Sequence, residues 1–217
     1  DLVVCAGVPA VKWYANKHPE IDSENINKLC GVLKTIECKK FFLISTIDVY
    51  SKKNVGNEDS ILVEEECDTY GANRLKFERF CKKTFPVCKV YRLPGLFGKH
   101  LKKNVIFDLI NSNCLELINL ESSFQYYYLK NLWEDITKLD NEGRINEINL
   151  FSEPVSTREI VSRYFEDYQL SSDQTTSVCY DIKTVNGGLW GGDKYIASKE
   201  KVFVWLDEFL RSERLES

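Results

Sequence analysis

Apolar positions in this chain follow two rhythms, short uninterrupted runs and spaced stripes, and the two alternate from one end to the other. Leu2-Val-Val-Cys-Ala6 is a short apolar run closed by Gly7, which predicts a strand over 2–6. Ile26, Leu29, Val32, Leu33 and Ile36 then recur at helical spacing, so a helix is expected over 23–36 with Asp22 or Ser23 as its N-cap. Lys40-Phe-Phe-Leu-Ile-Ser45 is a strand suited to burial on both faces. The polar, acidic stretch 51–68 reads as a loop or lid. A helix over 70–84, capped by Asp68 or Thr69 and stopped before Pro86, leads to a strand over 87–93 and a turn-rich loop, Pro94-Gly-Leu-Phe-Gly98.

The later part continues less regularly. A helix over 102–112, strands over 115–118 and 124–129, a helix over 132–139 and a strand over 145–151 are expected. Ser156-Thr-Arg-Glu159 has the spacing of a capping box and opens a helix running to 168. A polar stretch (171–177), a strand over 178–182, a glycine cluster at 187–192 and a terminal helix from near Ser198 complete the chain. Strands alternating with helices predict βα units around a mainly parallel sheet.

Composition narrows the function classes. With 217 residues, 43% hydrophobic and 29% charged, the chain is of globular type, and a net charge of −4 without a basic, aromatic-interleaved patch argues against nucleic acid. No apolar run is long enough to span a membrane. Eight cysteines include no CxxC pair and only two histidines accompany them, so no metal site is expected. The cysteines read as reduced thiols of a cytoplasmic protein. The chain has no methionine and opens directly on a buried-strand pattern, as a piece of a longer protein would.

The chemistry concentrates in two motifs. Tyr70-Gly-Ala-Asn-Arg74 places a phenol and a cation at i and i+4, on one helix face. A fixed positive charge beside a phenol favours its ionised form, although the same pentapeptide also suits the plain opening of an amphipathic helix. Upstream, Ser45-Thr-Ile-Asp-Val-Tyr50 brings hydroxyls to the end of a strand.

Together with Arg92-Leu-Pro-Gly-Leu-Phe-Gly98 and Asn149-Leu-Phe-Ser-Glu-Pro-Val-Ser156, these motifs resemble the extended short-chain dehydrogenase/reductases, the NAD-dependent epimerase/dehydratase family. The resemblance implies a Rossmann-like, doubly wound α/β fold. Residues 1–113 would be the remainder of the NAD(P)-binding domain, and 114–217 a mixed part, mainly substrate lobe. It implies Tyr70 as general acid/base, Thr46 as the hydroxyl that bonds the same substrate oxygen and holds it in register, and Arg74 in the place of the family's lysine. Ala6, Gly7, Ser45, Tyr70, Arg74 and Pro94 would contact NAD or NADP, and Asp48 and Thr46 a nucleotide-sugar-like substrate. A homodimer is the implied assembly.

The pattern departs from the family at four points. Arg74 cannot relay a proton as an amine does. Ile47 and Asp48 follow Thr46 where dehydratases carry an acidic pair, or at least an acid two residues on. Phe124 stands where many members place a diphosphate-binding arginine. No glycine-rich phosphate motif follows a first strand. A non-catalytic cofactor-binding or oligomer-forming module is therefore the competing expectation.

Overall fold

The computed structural model describes residues 1–51, 53–101, 103–143, 145–170 and 176–216. Position 52 in the expected loop, position 102 at the start of an expected helix, and 171–175 in the polar stretch lie outside the described residues. The elements begin with β1 (Leu2–Cys5), α1 (Lys12–Lys17), α2 (Pro19–Leu33), β2 (Lys40–Thr46) and β3 (Val55–Gly56). Then follow α3 (Thr69–Thr84), β4 (Cys88–Leu93), β5 (Gly95–Phe97), α4 (Val105–Asn111), β6 (Ser123–Phe124) and β7 (Tyr126–Tyr128). The chain ends with α5 (Leu132–Asn141), β8 (Glu147–Asn149), β9 (Val155–Ser156), α6 (Thr157–Tyr164), β10 (Asp181–Ile182) and α7 (Lys199–Glu216).

Two compact units emerge, Asp1–Leu93 with Leu139–Asn149, and Pro94–Lys138 with Leu150–Ser217. The division falls at 93/94, 138/139 and 149/150, whereas the sequence suggests a single boundary at 113/114. The first unit holds a four-stranded parallel sheet in the order β1-β2-β4-β8, which is the Rossmann-like core expected from the alternation. Phe41, Leu43, Val90, Cys5 and Cys88 pack from its strands against Ile26 and Leu33 of α2 and Phe77 and Cys81 of α3. Phe41 and Phe85 stack with ring centroids 3.9 Å apart. β1 lies at the sheet edge, and its Leu2 and Val4 are exposed.

The second unit is built from short strand pairs, β5 with β7 in parallel and β6 with β9 antiparallel. Its capping box is present in full, since Ser156 and Glu159 bond each other's backbone N–H groups and open α6.

Several local expectations are corrected. The second helix starts at Pro19, because a proline after His18 is well placed in a first turn, so Asp22 sits inside α2 and not at its cap. α1 carries too few periodic positions to show in the sequence. The loop expected at 94–98 contains β5, whose backbone pairs with Tyr126–Tyr128. Leu115–Leu117 forms a 3₁₀ turn, not a strand, with Cys114 before it in a left-handed conformation. The 124–129 run breaks at Gln125, which turns its amide to the Ser152 and Ile182 backbones. Of the strand expected at 178–182, only Asp181–Ile182 forms. α6 ends at Tyr164, well short of 168.

Candidate functional site

The site lies in the first unit, where the end of β2 meets the start of α3. β2 runs out at Thr46 into a 3₁₀ turn, Ile47–Val49, and the Thr46 hydroxyl oxygen accepts the Asp48 N–H at 3.2 Å. Ile47 and Val49 point into the core, so the turn presents Asp48 on its other side. The Thr46 hydroxyl donates to Asp48 Oδ2 at 2.9 Å.

α3 opens with Asp68, whose Oδ1 accepts the Gly71 N–H at 2.8 Å, while the Tyr70 N–H donates to Asn16 Oδ1 at 2.8 Å. A side chain at position 71 would collide with the Asp48 carbonyl oxygen. Glycine there lets the first turn of α3, which carries Tyr70, lie directly on the 47–49 turn. Tyr70 is 6% exposed. The guanidinium carbon of Arg74 is 4.2 Å from the Tyr70 ring centroid, a cation–π contact.

Arg74 has a partner that the spacing did not show. Its NH1 and NH2 groups hold Asp22 Oδ2 and Oδ1 at 2.8 and 2.9 Å, and NH2 also donates to the Pro9 carbonyl. Asn73 Nδ2 adds a third bond to Asp22 at 2.9 Å. Both members of the pair are at least 95% buried. Burial alone would raise the Asp22 pKa, but hydrogen bonds from Arg74 and Asn73 and the Arg74 charge bring it below the ordinary carboxylate range.

The phenol does not titrate in the direction that the Tyr–Arg spacing suggests. Burial is the largest influence and pushes the Tyr70 pKa up; the Arg74 charge pulls it down, the Asp48 charge pushes it up again, and bonds from Arg74 and Thr46 pull less strongly. The net direction is upward, so Tyr70 rests as a neutral phenol, a proton donor.

The other expected residues divide. Ala6 and Gly7 follow the end of β1 and are exposed, and a Cβ built on Gly7 would meet open space. The Ser45 hydroxyl is taken by Glu78 at 2.6 Å. Arg92, only 1% exposed, grips Glu78 through Nε and NH2 and Glu147 through NH2. Pro94 opens the second unit and is buried there. Phe124, also in that unit, has its ring 6.3 and 6.0 Å from those of Tyr126 and Tyr180. At the glycine cluster a side chain on Gly187 would strike the Asp193 carbonyl, so that segment is a tightly packed turn and no open cradle.

Lys12 went unnoticed in the sequence. Its ammonium lies 2.5 Å from Asp48 Oδ1 and 3.1 Å from Asp68 Oδ2, bridging the 47–49 turn to the cap of α3. The only sequence signal was a lysine five residues past Gly7 in a segment without periodicity.

A parallel α/β sheet with hydroxyl, phenol and carboxylate gathered past the end of an inner strand defines a Rossmann-like protein with a candidate proton-transfer site. Its structural neighbours are enzymes of the extended short-chain dehydrogenase/reductase type. One is a dTDP-4-dehydrorhamnose reductase from Bacillus anthracis in complex with NADP, with a TM-score of 0.73 and 16% identity over 97% of this chain and 80% of that one. A UDP-galactose 4-epimerase matches with a TM-score of 0.66 and 17% identity, over 89% of this chain and 72% of the other. A UDP-glucuronic acid 4-epimerase from Bacillus cereus in complex with NAD matches at 0.60 and 18%, over 85% and 64%. At these identities the likeness is one of fold. No family model matches the chain, and no curated protein matches it.

Proposed function

We propose that this chain carries the proton-transfer site of an NAD(P)-dependent oxidoreductase of epimerase, dehydratase or reductase type, acting on a hydroxyl or keto group of a sugar or nucleotide sugar. The observation that carries the reading is the packing of the first turn of α3, which carries Tyr70, on the turn that follows Thr46 and presents Asp48. Tyr70 is the general acid/base, and Thr46 holds the same substrate oxygen in register. A raised phenol pKa suits the acid role, in which Tyr70 gives its proton to a carbonyl oxygen as it is reduced.

The nicotinamide dinucleotide supplies the hydride, for which side chains have no carrier. The exposed Ala6-Gly7 turn and the Tyr70 edge fit its nicotinamide end. Arg74 supplies a buried charge behind the phenol, since Asp22 and the Pro9 carbonyl occupy its head. Ile47, turned into the core, speaks against dehydration chemistry that needs an acid there, and leaves epimerisation or reduction favoured. The second unit is the substrate lobe in this reading, and a cytoplasmic homodimer is its expected setting.

The test is turnover of NAD(P)H or NAD(P) with a panel of nucleotide sugars. Tyr70→Phe is expected to lower kcat by about 10²- to 10⁴-fold while nicotinamide binding is retained. Equal turnover in this variant overturns the role. The locked Arg74–Asp22 pair favours a second reading, a non-catalytic cofactor-binding or oligomer-forming module. That reading predicts NAD(P) binding or self-association without turnover by the parent chain.

A further inference from the structure

The second unit holds a cavity of its own, about 240 Å³, between β5, α4 and the C-terminal half of α7. Its walls follow from local spacing. Ile106 and Ile110 stand one turn apart on α4, and Phe209 and Glu213 one turn apart on α7, so each helix turns one stripe toward the space. Phe97 of β5 and Phe107 of α4 complete an apolar floor, and Phe97 meets Phe209 with ring centroids 5.7 Å apart. Asn104 fixes α4 over β5, since its Oδ1 accepts the Ile106 N–H at 3.0 Å and its Nδ2 donates to the Leu96 carbonyl. The loop that closes the cavity is held at a backbone cost: His100 has a φ of 66° and Asn104 of 77°.

The polar side chains are unevenly placed around this floor. Asn104 is engaged at both ends, and Asn111 Nδ2 donates to the Phe107 carbonyl at 2.8 Å. The lining groups that can meet a charge are His100, Lys103 and Glu213. His100 and Lys103 are exposed, which puts them at the rim, and the imidazole offers an N–H donor in either charge state. Both belong to the segment Gly98-Lys-His-Leu-Lys-Lys-Asn104, which has three lysines, a histidine and no acid. Glu213 is the one carboxylate among the described lining residues, so the rim is basic on balance. Size narrows the ligand further. A cavity of roughly 150 Å³ lined by Leu, Ile and Phe takes one benzene. At about 240 Å³ this one has room for two fused rings, yet it falls below the roughly 300–1,000 Å³ of pockets for drug-sized ligands.

We infer that this cavity binds a small aromatic anion, its rings against Phe97, Phe107 and Phe209 and its carboxylate at His100 and Lys103. Three phenylalanines in the walls favour a ring over an acyl chain, because ring faces and edges pack at defined offsets. The inference does not rest on the acid/base role of Tyr70, since every lining residue belongs to the second unit. A ligand held here ties α4 to the end of α7, so it stabilises the fold by mass action.

The probe is 2-naphthoate, with 2-naphthylmethanol and 2-naphthylmethylamine as neutral and cationic counterparts of the same ring. Binding to the whole chain is read by methyl NMR, in which the signals of Ile106 and Ile110 are expected to shift and saturate. A dissociation constant on the order of 0.1–1 mM is expected for a ligand of this size. The alcohol should bind about two- to fivefold more weakly, and the amine more weakly still. Ile110→Trp fills the space and is expected to lower naphthoate affinity roughly tenfold or more. Leu101→Trp, at a half-buried lining position, is the second filling variant, and melting temperatures confirm that each variant folds. Lys103→Glu, an exposed change, is expected to remove the advantage of naphthoate over the amine. The site is overturned if naphthoate gives no saturable shift of Ile106 and Ile110 up to about 10 mM. It is equally overturned if the folded filling variants bind like the parent, the result of adventitious adhesion to the surface. Equal binding of all three naphthalene compounds overturns the anion preference.

Discussion

The two units bury different kinds of side chain. Among the described residues, the first buries five charged side chains, Asp22, Arg74, Glu78, Lys89 and Arg92, besides the neutral Asn73 and Asn149. Buried polar groups of the second are the neutral Asn119, Ser122, Gln125, Ser152, Thr157 and Thr184. Its interior is aromatic: Phe97 stacks on Tyr128 with centroids 5.1 Å apart and meets Phe209 at 5.7 Å, and Tyr127 lies 6.2 Å from Trp205. An aromatic core draws on buried area and tolerates small geometric changes. A core with ion pairs depends on every partner being in place and in the right protonation state. The candidate site sits in the unit of the second kind, where α3 is registered against α2 and the sheet by charges.

The largest expected effect tests that dependence. Arg92 holds Glu78 by two bonds, 3.0 and 2.8 Å long, and Glu78 is fully buried. Arg92→Met leaves that carboxylate without its main partner and is expected to cost about 3–5 kcal/mol, read by urea unfolding. Trp13 is the one tryptophan of the first unit, so its fluorescence compared with that of a Trp13→Phe background tells the units apart. Adding Glu78→Leu to Arg92→Met is expected to recover most of the loss, because an apolar pair removes the stranded charge. A single-variant cost below about 1 kcal/mol would break the contrast between the units.

A smaller effect comes from Asp22. Its folded pKa is lowered, so it contributes stability that is complete above the unfolded carboxylate value of about 4 and is lost as pH falls through the folded value. Asp22→Asn keeps an oxygen that accepts one Arg74 bond, so its expected cost at neutral pH is about 2–3 kcal/mol. Melting temperatures followed from pH 6 downward should show parent and variant converging at acid pH. A gap that stays constant over that range would mean that Asp22 acts by shape and not by charge.

Which parts of this arrangement were legible follows from the range of each interaction. The strands at 2–6, 40–45 and 87–93 and the helix at 70–84 were readable because uninterrupted apolar runs and a 3.6-residue stripe are local signals. The capping box at Ser156 was readable for the same reason. Thr46 stands at the end of β2, Asp48 in the turn after it and Tyr70 at the start of α3, positions that a strand run and a helical stripe mark locally. Lys12 and Asp22 were not legible as site residues, since their partners lie 36 and 52 positions away and no periodicity marks them. The upward direction of the Tyr70 pKa was hidden too, because it depends on how deeply the ring is buried, a property of the packed unit. Short strands such as Gly95–Phe97 owe their form to a partner strand, so a loop was the natural expectation there.

The smallest predicted effect tests the second unit. Tyr126 lies in its aromatic core, 1% exposed, and its hydroxyl has no hydrogen-bond partner among the described residues. Burial pushes its pKa up, and no charged neighbour counteracts it. A buried hydroxyl without a partner costs its desolvation and returns nothing, so Tyr126→Phe should leave stability unchanged or raise it by up to about 1 kcal/mol. Tyr91, in the sheet of the first unit, likewise has a hydroxyl without a partner among the described residues, and Tyr91→Phe is expected to behave alike. The pair separates two explanations of the contrast between the units. If both variants are neutral, the first unit is sensitive only where charges meet, at Arg92 and Asp22, and its hydroxyls are as dispensable as those of the second. If Tyr126→Phe instead costs more than about 1 kcal/mol in urea unfolding, its hydroxyl is serving a polar network, and the second unit is held by directed bonds as the first one is.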